Sequence, residues 1–210
     1  IYNTTAHCFS EPYVYDAVKA NNVKYMTTFP VRFNEAVLET KRAIEAGEFG
    51  QILAVVGTNH GSMYDPGCPD WVKDPAKNGG GCIIDHTVHV ADIMRWFTGQ
   101  EFATVRAEAR HALHPDIVAE DIAVMHGTMT GGTLFQIDAS WSRRPENPQW
   151  GDVTIRVVGE KRTAWLDIYN NQRLEMYIDD QLEMHYPNLV AKEHGDIFDD
   201  YIDACEKGTP

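Results

Sequence analysis

From residue 102 onward, the hydrophobic pattern of this 210-residue chain has a period of two. FATVRAEARHA alternates small or apolar residues with Arg106, Glu108 and Arg110, and AVMHGTM, TLFQIDASWS, DVTIRVVG, RTAWLDIY, RLEMYI and LEMHY follow it. Such alternation gives a strand one side for a core and one for water. Gly131-Gly132, Pro145 to Pro148, Gly159-Glu160 and Asn170-Asn171 punctuate the run with turns. Short strands joined by short turns pair antiparallel, so this half of the chain predicts an antiparallel sheet.

The first half adds the covering layer. Residues 11–21 read as a short amphipathic helix, with Val14, Ala17 and Val18 on one face and Pro12 in the first turn. Val23 to Phe29 is β-branched and aromatic and predicts a strand. Asn34 offers a cap to a helix carrying Ala36, Val37, Leu38, Ala43 and Ile44, which Gly47 and Gly50 end. A strand follows over 51–58, then a Pro- and Gly-rich loop over 61–82 that holds Trp71, a length that marks a functional loop. Residues 83–98 form the strongest helical pattern, closed by Gly99, and 193–207 read as a last helix. The expected fold is α+β: a broad, mostly antiparallel open sheet with helices on one face, a two-layer sandwich.

Composition narrows the function. Hydrophobic residues at 43% and charged residues at 23% describe a globular chain. A net charge of −13 argues against nucleic acid and anionic membrane surfaces as partners. No apolar run approaches the roughly 20 residues that span a bilayer, and no signal-peptide pattern opens the chain. The cysteines at 8, 68, 82 and 205 lack CxxC spacing, which points to free thiols and a cytoplasmic protein rather than a zinc or dithiol site. Met125, Phe135, Ile137, Trp141 and Trp165 are more large apolar groups than two sheet faces can leave in water. Self-association into a homodimer or larger, through the open sheet face, is the expectation.

Chemistry concentrates on the helix at 83–98. On a helical wheel with Asp85 at zero, His89 lies at about +40°, Asp92 at about −20° and Trp96 at about +20°. The rest of the circumference is largely apolar. A solvated face would favour Glu, Lys and Gln over Asp and His. Gly79-Gly80-Gly81 precedes the helix, where small residues permit close approach to a ligand at a helix N-terminus. A carboxylate beside an imidazole can move a hydroxyl proton. The same residues leave open a metal site built from Asp85, His89 and Asp92, although His86, about 100° from Asp85, does not complete a compact set.

The run GGGCIIDHTVHVAD resembles the Gfo/Idh/MocA oxidoreductases. KYMTTFPVRFNEAVLETKRAIEAGEFGQI, ASWSRRP, VVGEKRTAWLD and DIFDDYIDACEKGTP agree in the family's order, so the likeness covers roughly residues 11–210. It implies a two-domain protein: a Rossmann domain for NAD or NADP, and a C-terminal α+β domain like that of glyceraldehyde-3-phosphate-dehydrogenase-like dehydrogenases. The chain has neither a GxGxxG fingerprint nor the family's Glu-Lys-Pro motif. On this resemblance, residues 1–29 are the remnant, last helix and strand, of a dinucleotide-binding domain. Residues 30–210 are the substrate-binding and oligomerisation domain, and NAD or NADP is bound mainly by a domain absent here.

The resemblance implies catalytic roles for Asp85 and His89, with His89 exchanging the hydroxyl proton while hydride passes between nicotinamide and a sugar, inositol or related polyol. It also implies substrate contacts at Arg32, Asn59, His60, Trp71, Lys73 and His86, with Gly80 and Gly81 near the nicotinamide and no metal. His111, His114 and His126 read as structural. The isolated chain is expected not to turn over. Two alternatives stay open: a sugar-binding, sensing or dimerisation module of the same family, and a metal-dependent hydrolase or isomerase.

Overall fold

β1 (Ile52–Gly61) alternates in burial: Val55, Gly57, Asn59 and Gly61 are buried, and Val56, Thr58 and His60 between them are half-buried. It is the central strand of an eight-stranded sheet in the computed structural model, which describes residues 11–63, 74–144, 146–147, 149–169, 173–178, 183–185 and 195–208. The other strands are β2 (Phe102–Arg110), β3 (Ile122–Met129), β4 (Leu134–Ser140), β5 (Gly151–Gly159), β6 (Arg162–Asp167), β7 (Arg173–Ile178) and β8 (Glu183–His185). Their order is β2-β3-β4-β1-β5-β6-β7-β8. Every neighbouring pair is antiparallel except β1 with β4. That parallel pair needs a long crossover, which the helix after β1 and the β2–β3 hairpin supply.

Among the helices, α1 (Glu11–Asn21) precedes a single 3-10 turn (Pro30–Phe33) and α2 (Glu35–Glu45). The Asn34 side chain accepts from the Ala36 N–H at 3.0 Å, the cap its residue type predicts. α3 (Pro75–Asn78) is one turn, and α4 (Cys82–Thr98) ends on Gly99 in the left-handed conformation. α5 (Gly195–Lys207) closes the chain. α4 packs across β1, β4 and β3, and α2 packs against β6. The α+β architecture is therefore the expected one, a mixed open sheet with its helical layer on one face.

Two expectations fail. Val23 to Phe29 forms no strand, because none of the eight strands borders it to complete a ladder. β propensity describes fit to a sheet surface and does not supply the neighbour. The apolar surplus also resolves differently. Met125 pairs with Ile137 opposite Gly57, and Phe135 lies opposite Val55, so all three side chains share the face that α4 covers. Trp141 is buried just beyond β4. Only Trp165 of the five is exposed, on the opposite face with Val124 and Leu134. Among the described residues, no helix is long and apolar enough to cross a membrane.

Candidate active site

The first turn of α4 is held from outside the helix. Gly81 N–H and Ile83 N–H donate to the Glu120 carboxylate at 2.9 and 3.3 Å, and Cys82 N–H donates to the Glu120 carbonyl at 2.9 Å. A Cβ on Gly81 would land on that carbonyl oxygen, so this glycine is required for the approach of the 119–121 segment. The N-terminal donors and positive dipole end of α4 are thus taken by the protein's own carboxylate. Burial, reinforced by the charges of Glu120, Asp121 and Asp85, pushes the Cys82 thiol up to about 12, which leaves it inert.

One turn on, Asp85 accepts a hydrogen bond from the Trp141 indole N–H at 3.0 Å and lies 3.1 Å from His86 Nε2 through the same oxygen, Oδ2. Burial alone would raise the Asp85 carboxyl. The close approach and charge of His86, the indole and the His89 charge together outweigh it, and the carboxyl sits below its ordinary range. His86 is not the exposed helical histidine that its place on the wheel allowed. It points into β1 and is 2% exposed. Its Nδ1 lies 3.1 Å from the Asn59 carbonyl, and the Asn59 side-chain amide donates to the His86 carbonyl at 2.9 Å. Asn59 thus ties the sheet to the helix, and a Cβ on Gly61 would come within 2.5 Å of the His86 ring.

His89 presents its ring edge to Phe29, centroids 6.4 Å apart. Its Nδ1 is buried and has no hydrogen-bond partner among the described residues. Burial, and next the charge of His86, lower its pKa below the usual 6.5 against the opposing pull of Asp85 and Asp92. The result is a neutral imidazole one helical turn from an ionised carboxylate, which is a proton acceptor beside a hydrogen-bond acceptor.

Arg32 grips Asp92 in a two-bond fork, Nε to Oδ2 and Nη2 to Oδ1, both 2.6 Å. Its guanidinium also lies over the Trp96 ring at 5.1 Å and the Phe29 ring at 5.8 Å. Asp92 is therefore committed to Arg32 and does not converge with Asp85 and His89 as a third metal ligand. Among the described residues, no three His, Cys, Asp or Glu side chains are placed to hold a metal ion.

His60 does not join this site. Adjacent residues of a strand face opposite ways, so with Asn59 directed at α4, His60 projects from the open face. There it lies 3.3 Å from Asp138 and 3.0 Å from Asp152, and hydrogen bonds to Asp138 and then Asp152 raise it to about 9. Asp152 also binds Arg143 and Thr58. Trp71 and Lys73 lie outside the described residues. His114 and His111 fill the structural roles expected of them: His114 lies 2.6 Å from the Trp141 carbonyl, and His111 lies 2.8 Å from the His114 carbonyl.

Trp141, Glu120 and Asp121 are the supports that sequence reasoning missed. The Asp121 carboxylate accepts from the N–H groups of Ala112, Leu113 and His114 at 2.8, 2.7 and 2.8 Å, and its carbonyl takes the Trp141 N–H at 2.9 Å. A buried indole N–H requires an acceptor. That rule, applied to ASWS, signals a partner without saying which.

The GFO/IDH/MocA C-terminal domain signature matches residues 37–165, more than half the chain and all of α4. The chain belongs to this family. It is 38% identical over 96 residues to levoglucosan dehydrogenase of Pseudarthrobacter phenanthrenivorans, covering 45% of this chain and 24% of that protein. It is 26% identical over 162 residues to the scyllo-inositol 2-dehydrogenase (NAD(+)) of Bacillus subtilis, covering 76% and 44%. The chain thus spans less than half the length of these curated relatives. A levoglucosan dehydrogenase structure in complex with NADH and levoglucosan superposes with a TM-score of 0.79 at 22% identity, over 95% of this chain and 62% of that one. At that identity the likeness establishes the fold.

Proposed function

We propose that this chain is the substrate-side domain of an NAD(P)-dependent oxidoreductase acting on a sugar, inositol or related polyol, with His89 as the proton-transfer group and Asp85 as the carboxylate that orients the substrate beside it. The observation that carries this reading is the pairing of a neutral His89, whose buried Nδ1 lacks a partner among the described residues, with an ionised Asp85 one turn away. The named substrates and NAD(+) of the relatives support the substrate class and cofactor.

The described residues build no cradle for a dinucleotide. The donors behind the triple glycine are filled by Glu120, and the chain carries no GxGxxG. Residues 1–29 are read as the end of a dinucleotide-binding domain and 30–210 as the substrate domain. The rest of the whole protein holds the cofactor, with Gly80 and Gly81 toward its nicotinamide. The chain's own work is proton handling. Asp85 accepts a hydrogen bond from a neighbouring hydroxyl of the polyol and so orients the substrate, and His89 takes the reacting hydroxyl's proton as hydride leaves the carbon. Arg32 fixes Asp92 and Trp96, one turn further along α4, and so holds the floor of the site.

Trp165, Leu134 and Val124 on the open face support self-association through it. Free Cys82 and Cys205 are in keeping with cytoplasmic residence.

The test uses the whole protein with NAD or NADP and a panel of inositols and sugars, following nicotinamide absorbance. His89→Gln should lower kcat by about 10²–10⁴-fold, the usual reach of general acid–base catalysis. Undiminished turnover in His89→Gln, or no turnover with any of the panel, overturns the proposal. Sedimentation at micromolar protein that finds only monomer overturns the self-association.

A further inference from the structure

Trp150 is 49% exposed, yet it does not stand apart from the site. A single exposed apolar residue is ordinary on a protein surface, so its placement is what matters. The indole lies tilted against the His86 imidazole, ring centroids 5.9 Å apart. The two meet over Gly61, the last residue of β1. A Cβ built there would stand 2.5 Å from His86 Cε1, 3.0 Å from its Nε2 and 3.2 Å from Trp150 Cη2. The missing side chain is what lets the indole reach the imidazole. The Nε2 it approaches is the nitrogen 3.1 Å from Asp85 Oδ2. Trp150 thus borders the Asp85 end of the site, and Phe29 borders His89.

The other described tryptophans have different work. Trp141 is buried and donates to Asp85. Trp96 carries the Arg32 and Lys41 cations over its ring. Trp165 is on the open face of the sheet. Trp150 is half in water, and its backbone is anchored: Gly151, next in the chain, pairs with Gly61 in the β1–β5 ladder. An aromatic ring on a fixed anchor, beside a carboxylate and an imidazole, suits a ring-form carbohydrate. Hydroxyls run round the perimeter of a pyranose or cyclitol, and C–H bonds populate its faces. The perimeter suits Asp85 and His89. The faces suit an indole, whose negative π surface attracts polarised C–H groups. An open-chain polyol has no persistent face of this kind.

We propose that Trp150 is a substrate-contacting residue that sets specificity: the exposed part of its indole packs on the ring face of a cyclic polyol whose hydroxyls meet Asp85 and His89, and so selects pyranoses and cyclitols over open-chain polyols. This rests on the reading of Asp85 and His89 given above and narrows its substrate class. The contact lies away from the reacting carbon. It therefore stabilises bound substrate and transition state alike, and its loss shows in KM more than in kcat. Covering the open half of an indole, on the order of 100 Å² of apolar surface, contributes about 10–100-fold in affinity.

The experiment has two arms. In the first, Trp150→Ala and wild-type whole protein are compared on the cyclic substrates of the panel. KM should rise about 10–100-fold, more than kcat falls, and Trp150→Phe, which keeps an apolar ring, should restore most of the loss. A fall in kcat with KM unchanged, the signature of a residue that merely props His86, overturns the proposal, as does an unchanged KM. In the second, whole protein carrying 5-fluorotryptophan is titrated, with NADH or NADPH present, with myo-inositol, scyllo-inositol, levoglucosan and any cyclic substrate the first arm identifies. Glucitol is the open-chain control. The Trp150 19F resonance, assigned by its absence in Trp150→Phe, should shift with a cyclic compound and hold still with glucitol. No shift with any cyclic compound, or an equal shift with glucitol, overturns the proposal. This arm needs no turnover. A Trp150 shift without turnover keeps the contact and removes the dehydrogenase reading, whereas turnover without a Trp150 shift removes the contact and keeps that reading.

Discussion

Replacing Asp121 with alanine should unravel the support under Trp141 and hence under Asp85. Asp121 is fully buried, and its carboxylate satisfies three successive backbone N–H groups, those of Ala112, Leu113 and His114. A hydrogen bond to a charged acceptor contributes about 1.5–3 kcal/mol. Three bonds sharing one carboxylate do not add in full, so the expected loss is about 3–5 kcal/mol. At about 2–4 °C per kcal/mol for a chain of this length, that is a fall in Tm of about 6–20 °C. Asp121→Asn, which keeps one acceptor oxygen, should lose roughly half as much. The direct assay is amide hydrogen exchange at residues 112–114, which should accelerate strongly in Asp121→Ala. Acid has the same sign. Burial would raise this carboxyl, but the three N–H bonds outweigh it and hold it below its ordinary value. Its contribution is therefore present above the unfolded value of about 3.9 and lost as pH falls through the folded one. A Tm within a degree of wild type, with unchanged exchange at 112–114, would refute the reasoning.

The Arg32–Asp92 fork should behave as a buried carboxylate with a half-exposed partner. Arg32→Met leaves Asp92, 6% exposed, without its counter-charge, and should destabilise by about 2–4 kcal/mol, whereas Arg32→Met combined with Asp92→Leu should recover most of that in denaturant titrations. If the double variant is no more stable than the single one, the fork is not the source. His60 predicts a slope on the alkaline side. Asp138 and Asp152 raise it from 6.5 to about 9, so its contribution is fully present below pH 6.5 and lost as pH rises through about 9. The size is on the order of 3 kcal/mol. His60→Gln should flatten stability across that window, and a slope retained in the variant would count against the assignment.

The sheet was legible because its signals are local. Period-two runs separated by Gly, Pro and Asn turns mark strands without knowledge of the partner, and all seven segments from Phe102 to His185 are strands of the sheet, although β1 parts β4 from β5 and meets β4 in parallel. α4 was equally plain, with Gly99 as its stop. The failures share one cause, which is dependence on what lies opposite. Val23 to Phe29 has the residues of a strand and, among the described residues, no strand paired with it. Met125, Phe135 and Ile137 looked like a surplus over two faces, until the register put them together under α4. Strand alternation itself separates Asn59 from His60, so their opposite directions are legible in the sequence. The site is half legible: Asp85, His89 and Asp92 follow from the wheel. The partners that set their chemistry, Trp141, Asn59, Arg32 and Glu120, come from distant parts of the chain that no spacing relates.

The place of β1 bears on how the chain is made. Its two neighbours are β4 and β5, so the segments that complete its ladders, from residue 134 and from residue 151, leave the ribosome long after it. Throughout that interval both edges of an apolar ten-residue strand stand unpaired, a template for association with other chains. Closing two ladders of such sequence separation is also intrinsically slow. Chaperone demand during synthesis, and inclusion-body formation on overproduction, should therefore respond to charges placed at Val56 on the open face of β1 more than to any change in the hairpins that follow it.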